Sequence, residues 1–195
     1  MKYKFPHITN ISQVLPVIEG LPEFVVAVKD GGYTVINYNV AFDTTFPPIE
    51  TEADAIRREC RGMIFDTATG NILRRPLHKF WNINEREETQ LAKIDFTDPH
   101  IVLSKLDGSM ISPFKVNEKV RFGTKMGITD VSLRAEEYIK HHPEFLLFSE
   151  WAITNGITPI FEYTAPTNRI VVNYEVPQLT LIACRYMISG EYINF

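Results

Sequence analysis

Between Phe24 and Val40 the chain reads FVVAVKDGGYTVINYNV, two runs of β-branched and aromatic residues separated by Gly31-Gly32. Paired glycines supply the positive φ angles of a tight turn, so the stretch predicts two antiparallel strands. A lone hairpin is marginal in water, and the rest of the chain has to build a core around it. With 195 residues, 45% of them hydrophobic, it has the material for one domain, or for one large and one small.

The flanking segments carry equally local signals. TEADAIRREC opens on Thr51 with Asp54 three residues later, the pattern of a capping box and a short helix. RGMIFDTATGNILRRPL reads as strand, turn at Thr69-Gly70, and strand. IVLSKLDGSMISPFKVNEKVRFGTK predicts three short strands: one ending near Lys105, one after the Asp107-Gly108 pair, one after Asn117-Glu118. Val131, Ala135, Tyr138, Ile139 and His142 recur at helical spacing, and Pro143 opens a second helix that Asn155-Gly156 closes. ITPIFEYT, RIVVNY and LTLIACRYM read as further strands. The expectation is an α+β fold, antiparallel sheets with inserted helices.

Composition narrows the function classes. A net charge of −4 gives no overall basic field, so any polyanion site must be a local cluster of Lys and Arg. Cys60 and Cys184 are far apart, which fits free thiols in a reducing cytoplasm. No segment has the long apolar run of a signal peptide or membrane span. The acidic stretch NEREE (84–88) reads as a solvated loop. The chain stops at GEYINF directly after a strand-turn pattern, which predicts a portion of something longer.

Four local patterns have the residue types of a reactive site. In ECRGMIF, Arg61 can fork onto a phosphate while Gly62 admits a close backbone approach; a surface arginine after a helix is the plainer reading. RRPLHKFWNINE sets Arg74, Arg75, His78 and Lys79 beside Phe80 and Trp81. That composition suits a phosphorylated, base-bearing ligand, or equally an edge strand with basic gatekeepers and core aromatics. SKLDGSM places Lys105 two residues before Asp107-Gly108, either as the last cation before a turn or as a reactive amine. A lysine with the reference pKa of about 10.4 needs nearby cations and partial burial to become a nucleophile at pH 7, and Arg61, Lys79 and Lys125 are the candidates. Glu162 lies inside the apolar run PIFEYT, where a carboxylate needs a partner: a ligand hydroxyl, a cation, or a protein donor.

The strings ECRGMIF, HKFWNINE, SKLDGS, FGTK and FEYTAPTNRIV, in that order, resemble the phage-type RNA ligase 1 family of ATP-dependent nucleotidyltransferases. The resemblance spans from about Tyr38 to the C-terminus. It implies the nucleotidyltransferase (ligase adenylation) fold, here as a partial adenylyltransferase domain with a hairpin region at 1–95 and a nucleotide-binding core at 96–195. Lys105 would carry AMP as a phosphoramidate. Tyr38, Arg61, Lys79, Gly108, Lys125 and Glu162 would contact the nucleotide, and Trp81 would keep the packing role of the family's ring there. ATP and Mg²⁺ are the implied cofactors, and single-stranded or cleaved RNA, notably tRNA, the implied partner, in the host cytoplasm for a phage-encoded protein. The family continues into a K-x-K strand and an RNA-specificity domain that this sequence lacks, so the chain alone is expected to be poorly active or inactive. A K-x-D-G element also suits DNA ligases and mRNA capping enzymes, and a shortened non-catalytic nucleotide-binding or interaction protein is a further alternative.

Overall fold

The computed structural model describes residues 4–42 and 44–194. Phe195, on which the expected break in the chain falls, lies outside them. The Gly-Gly hairpin forms as its sequence predicts: β1 (Phe24–Lys29) pairs with β2 (Tyr33–Tyr38), with φ +98° and +83° at Gly31 and Gly32. β2 then pairs with β3 (Met63–Asp66), and β3 with β4 (Ile72–Arg74), completing a four-stranded antiparallel sheet. A second antiparallel sheet has the order β6-β5-β7-β8, from β5 (Ser109–Val116), β6 (Lys119–Gly123), β7 (Ile157–Thr164) and β8 (Gln178–Tyr186).

Local chemistry sets the helices. α1 (Leu15–Ile18) is one short turn. α2 (Glu52–Glu59) starts at Thr51, whose hydroxyl accepts the Asp54 N–H while the Asp54 carboxylate accepts the Thr51 N–H. Such a box stabilises a helix start by about 1 kcal/mol. α3 (Asp130–Lys140) begins with a box between Thr129 and Ser132. α4 (Pro143–Thr154) has Pro143 in its first turn and ends at Asn155, followed by Gly156 at φ +69°. α3 and α4 cover the second sheet through Ala135, Ile139, Phe145 and Phe148 packed on Ile111 and Phe161.

Period-two alternation places the core. On β2 and β3, Ile36, Met63 and Phe65 face a cluster with Ile8, Ile18, Phe46 and Ile56, while Tyr33, Val35 and Ile64 face Phe114 of the second sheet. Buried arginines join the two halves. Glu59 accepts from Arg75 Nε at 3.0 Å and from Arg185 Nη1 and Nη2 at 3.0 and 3.1 Å, with all three side chains fully buried. Burial alone would raise the Glu59 carboxyl, but the Arg185 and Arg75 guanidiniums prevail and hold it below the usual carboxylate range. Cys60 and Cys184 are free and buried.

Four expected assignments of strand, turn and loop are corrected. Residues 101–106 form no strand, and Ile101, Val102 and Leu103 are exposed. Asp107-Gly108 is not a hairpin turn, because the Asp107 carboxylate is engaged elsewhere: it accepts the Val171 and Val172 N–H groups, each at 2.6 Å. The same two bonds hold RIVVNY as an irregular loop in place of a strand. The turn expected at Asn117-Glu118 does form, with φ +49° and +58°. The NEREE stretch is not merely solvated: Glu88 accepts from Arg58 at 2.5 and 3.0 Å, and Arg86 turns toward Trp81.

Candidate active site

The cations singled out in the sequence converge from both sheets. Arg61 follows α2, Lys79 lies on the extended segment after β4, and Lys125 lies in the turn after β6. Lys125 Nζ sits 5.0 Å from the Tyr38 ring centroid, and Lys79 Nζ sits 5.8 Å from the same ring and 3.9 Å from Trp81. Gly62 makes the approach possible. At φ +93°, a Cβ there would lie 2.7 Å from Lys125 Cα, so only glycine lets Arg61 and Lys125 stand side by side. The close approach that Gly62 permits is thus to the protein's own backbone.

Electrostatics confirm the crowding. Burial pulls Lys79 below the ordinary lysine range; Arg61, Arg86 and Lys125 push the same way, and Glu85 opposes them. Burial and Arg61 likewise lower Lys125. Two donors of the cluster, Arg61 Nη1 and Trp81 Nε1, are buried without a hydrogen-bond partner among the described residues. Unsatisfied donors inside a knot of cations favour an anion.

Glu162 lies within electrostatic reach of both Lys105 and Arg61. Its Oε1 accepts the Gly108 N–H at 3.0 Å, so its protein partner is a backbone amide and not an arginine. Burial raises its carboxyl above the usual range; the Gly108 bond, Lys105 and Arg61 pull it part of the way back. Gly108 packs against β7 so tightly that a Cβ would meet the Tyr163 carbonyl oxygen at 2.3 Å. The Asp107 N–H donates to Tyr174 Oη at 3.0 Å, and Asn168 Nδ2 donates to Ser109 Oγ at 3.1 Å and to the Tyr163 carbonyl at 3.0 Å. The Lys105 segment is therefore fastened to the loop after β7.

The expected crowded cationic pocket around Lys105 is not what forms. Lys105 is exposed, and the charges it acts on are the carboxylates of Glu162 and Asp107, whereas Arg61, Lys79 and Lys125 gather about Tyr38. The RRPLHKFW stretch also divides differently from either sequence reading. Arg74 and Arg75 are fully buried, bonded to carbonyls and to Glu59, so they serve neither as ligand cations nor as edge gatekeepers. His78 hydrogen-bonds Tyr192 Oη at 2.9 Å, and burial pushes its ring down to about 4, which leaves it neutral. Trp81 has Lys79 at 3.9 Å and Arg86 Cζ at 4.4 Å from its ring, so its π-system holds cations. Arg86 is the cluster member that sequence reasoning missed; its spacing of five residues from Trp81 within an acidic run gave no signal.

These features make a cationic cluster held between two antiparallel sheets, and comparison with known proteins assigns the class. Residues 59–195 match the family model described as RNA ligase, of the phage RNA ligase 1 type, and the chain belongs to that family. It is 29% identical over 185 residues to a Thermovibrio ammonificans protein named "Putative RNA ligase", covering 94% of this chain and 47% of that protein. It is 27% identical over 143 residues to RNA ligase 1 of Bacteriophage TS2126, covering 70% of this chain and 36% of the phage protein. A third relative is the "Putative bifunctional polynucleotide kinase/RNA ligase" of Autographa californica nuclear polyhedrosis virus, 29% identical over 157 residues, 69% of this chain and 22% of the viral one. The chain thus spans half or less of the length of these relatives. Among the described residues, no helix is long and apolar enough to cross a membrane.

Proposed function

We propose that this chain is the nucleotide-binding part of an ATP-dependent RNA ligase that works through a covalent lysyl-AMP on Lys105. The observation carrying the reading is the placement of Glu162, which accepts the Gly108 N–H beside Lys105 and also feels Arg61 of the cation cluster. One ligand with a ribose at Glu162 and phosphates at Arg61, Lys79 and Lys125 would present its α-phosphorus to Lys105. The Lys105 amine, after losing a proton, would form an N–P bond to the α-phosphorus as the bond to pyrophosphate breaks. An RNA 5′-phosphate would next take the AMP from Lys105. Attack by an RNA 3′-hydroxyl on the activated 5′-phosphate would then form the new phosphodiester and release AMP. Throughout, the residues contribute position and charge neutralisation, which dominate phosphoryl-type transfer.

Mg²⁺ would fit this site as a companion of the phosphates. Among the described residues no group of three or more His, Cys, Asp or Glu side chains could hold a metal ion, while the cationic cluster suits phosphate oxygens. The ion would be held by those oxygens and water, and would supply charge neutralisation on the triphosphate. The phosphate-side residues would be Arg61, Lys79 and Lys125, with Tyr38 and Trp81 supporting the lysines.

The test is transfer of label from α-³²P-ATP with Mg²⁺ to the intact gene product. A phosphoramidate-labelled band lost in Lys105→Ala supports the reading; label persisting in that variant removes Lys105 as nucleophile. Joining of 5′-phosphorylated single-stranded RNA, cleaved tRNA included, is the expected reaction, and efficient sealing of nicked duplex DNA without RNA joining would exclude it.

A further inference from the structure

Directly under the cation cluster lies a guanidinium with no carboxylate partner among the described residues. Arg74 is completely buried at the end of β4, and its bonds go to carbonyls only: Nε and Nη2 to Gly62 O at 3.2 and 2.8 Å, Nη2 to Thr124 O at 2.8 Å, and Nη1 to Ser112 O and Gly123 O at 3.1 and 3.0 Å. Its Cζ also lies 5.5 Å from the Phe114 ring centroid. Burial pushes it down to about 9, so it stays charged at neutral pH. The other fully buried arginines of the chain, Arg75 and Arg185, share Glu59 as counter-ion. A buried cation without one is costly, and an apolar side chain would fill the same space more cheaply.

The carbonyls it holds explain the choice. Gly62 follows Arg61 directly, and the Thr124 carbonyl belongs to the peptide bond into Lys125. One guanidinium, through a single nitrogen, therefore ties the backbone of the first sheet at Arg61 to that of the second at Lys125. The Gly62–Lys125 approach is too close for any side chain at residue 62, so the clamp fixes the two cations at one spacing. A lysine could not reproduce this, since its single nitrogen cannot reach four carbonyls in a planar fork.

We propose that Arg74 is a positioning residue of the phosphate site, setting Arg61 and Lys125 in place through the Gly62 and Thr124 carbonyls. The proposal rests on the reading of the cluster as a polyphosphate site. Arg74 would act on binding and on the approach of the triphosphate through its neighbours, since it is fully buried and its guanidinium is given to carbonyls.

The experiment is a double-mutant cycle on the intact gene product, with ATP and inorganic tripolyphosphate as probes and far-UV circular dichroism as the folding check. Arg74→Lys is expected to weaken both probes by about tenfold, the scale of a sub-ångström loss of alignment. On a Lys125→Ala background the same change should cost clearly less than tenfold, because one of the two cations through which it acts is gone. A merely structural role would lower the melting temperature yet leave the dissociation constant of folded protein unchanged, or add in full to Lys125→Ala; either result overturns the proposal. Should Arg74→Lys not fold, Gly123→Ala replaces it, since a Cβ there would meet Arg74 Nη1 at 2.9 Å and Gly127 O at 2.9 Å. It is expected to show a smaller loss with the same dependence on Lys125. Wild-type protein that binds neither probe overturns the functional reading and this proposal together, whereas wild-type binding with an insensitive Arg74 overturns the positioning role alone.

Discussion

Gly108→Ala should separate the geometry of the nucleophile segment from general stability. The Gly108 φ is not positive, so the penalty is purely steric: the new Cβ would lie 2.3 Å from the Tyr163 carbonyl oxygen and 2.9 Å from Thr164 Cγ2. Ordinary contact begins at 3.4 Å, so the segment must retreat from β7 by about 1 Å. That retreat strikes the Ser109–Tyr163 pairing, the Gly108 N–H bond to Glu162, and the Asn168 bond to the Tyr163 carbonyl. Overpacking of this kind costs about 1–3 kcal/mol. In a domain of this size each kcal/mol moves the midpoint by about 2–4 °C, so a fall of roughly 2–12 °C is expected by calorimetry. The chemical cost comes on top of this, because about 1 Å of misplacement at a reacting group costs on the order of 100-fold in rate of the folded protein. The assay is label transfer from α-³²P-ATP to the intact gene product, with Gly156→Ala as comparator. Gly156 has nothing within 4 Å of a Cβ but sits at φ +69°, so its alanine variant should lose stability and keep labelling. Labelling in Gly108→Ala at the level of Gly156→Ala would refute the reasoning.

The remaining expectations follow from charges. Glu59→Gln leaves Arg75 and Arg185 buried without their counter-ion and should destabilise by about 3–5 kcal/mol in urea titrations. Because the Glu59 carboxyl is depressed in the fold, its contribution is present above its unfolded value and is lost as pH falls through the folded one; acid unfolding of wild type should therefore be steeper than that of the variant. Glu162 has the opposite sign: its raised carboxyl makes the folded state bind more protons, so stability falls as pH rises from the unfolded value through the folded one. Glu162→Gln should keep or raise the melting temperature at pH 7 while weakening ATP binding, the mark of a site kept for function. Since Lys79 and Lys125 are both lowered, ATP affinity should decline with rising pH before an ordinary lysine would lose its proton, and Lys125→Arg should move that decline upward; a flat profile to pH 10 would contradict the cluster.

What could be read from the sequence was what its neighbours in the chain decide. The Gly31-Gly32 hairpin, the Thr51 capping box and the Pro143 helix start are each specified within four residues, and each forms as expected. Asp107-Gly108 looks locally like the same kind of signal. Its meaning is set 64 residues away, where the Val171 N–H takes the carboxylate that a turn would have used. The site followed the same rule. Side-chain types marked Arg61, Lys79, Lys125 and Glu162, but not which faced which, so the cations were expected around Lys105 and stand around Tyr38. Arg74 and Arg75 are adjacent and chemically identical, and only the packed fold shows that one holds carbonyls and the other a carboxylate.

The Glu59 triad bears on how such a molecule can be made. Arg185 lies 126 positions after Glu59 along the chain, so a ribosome releases the carboxylate long before its second partner exists. During that interval α2 and the residue after β4 hold an ion pair that is only half assembled. Splitting the coding sequence between the two sheets, or grafting one sheet onto another scaffold, would perpetuate that interval, and each half should require a holdase or its complementary fragment to stay out of aggregates.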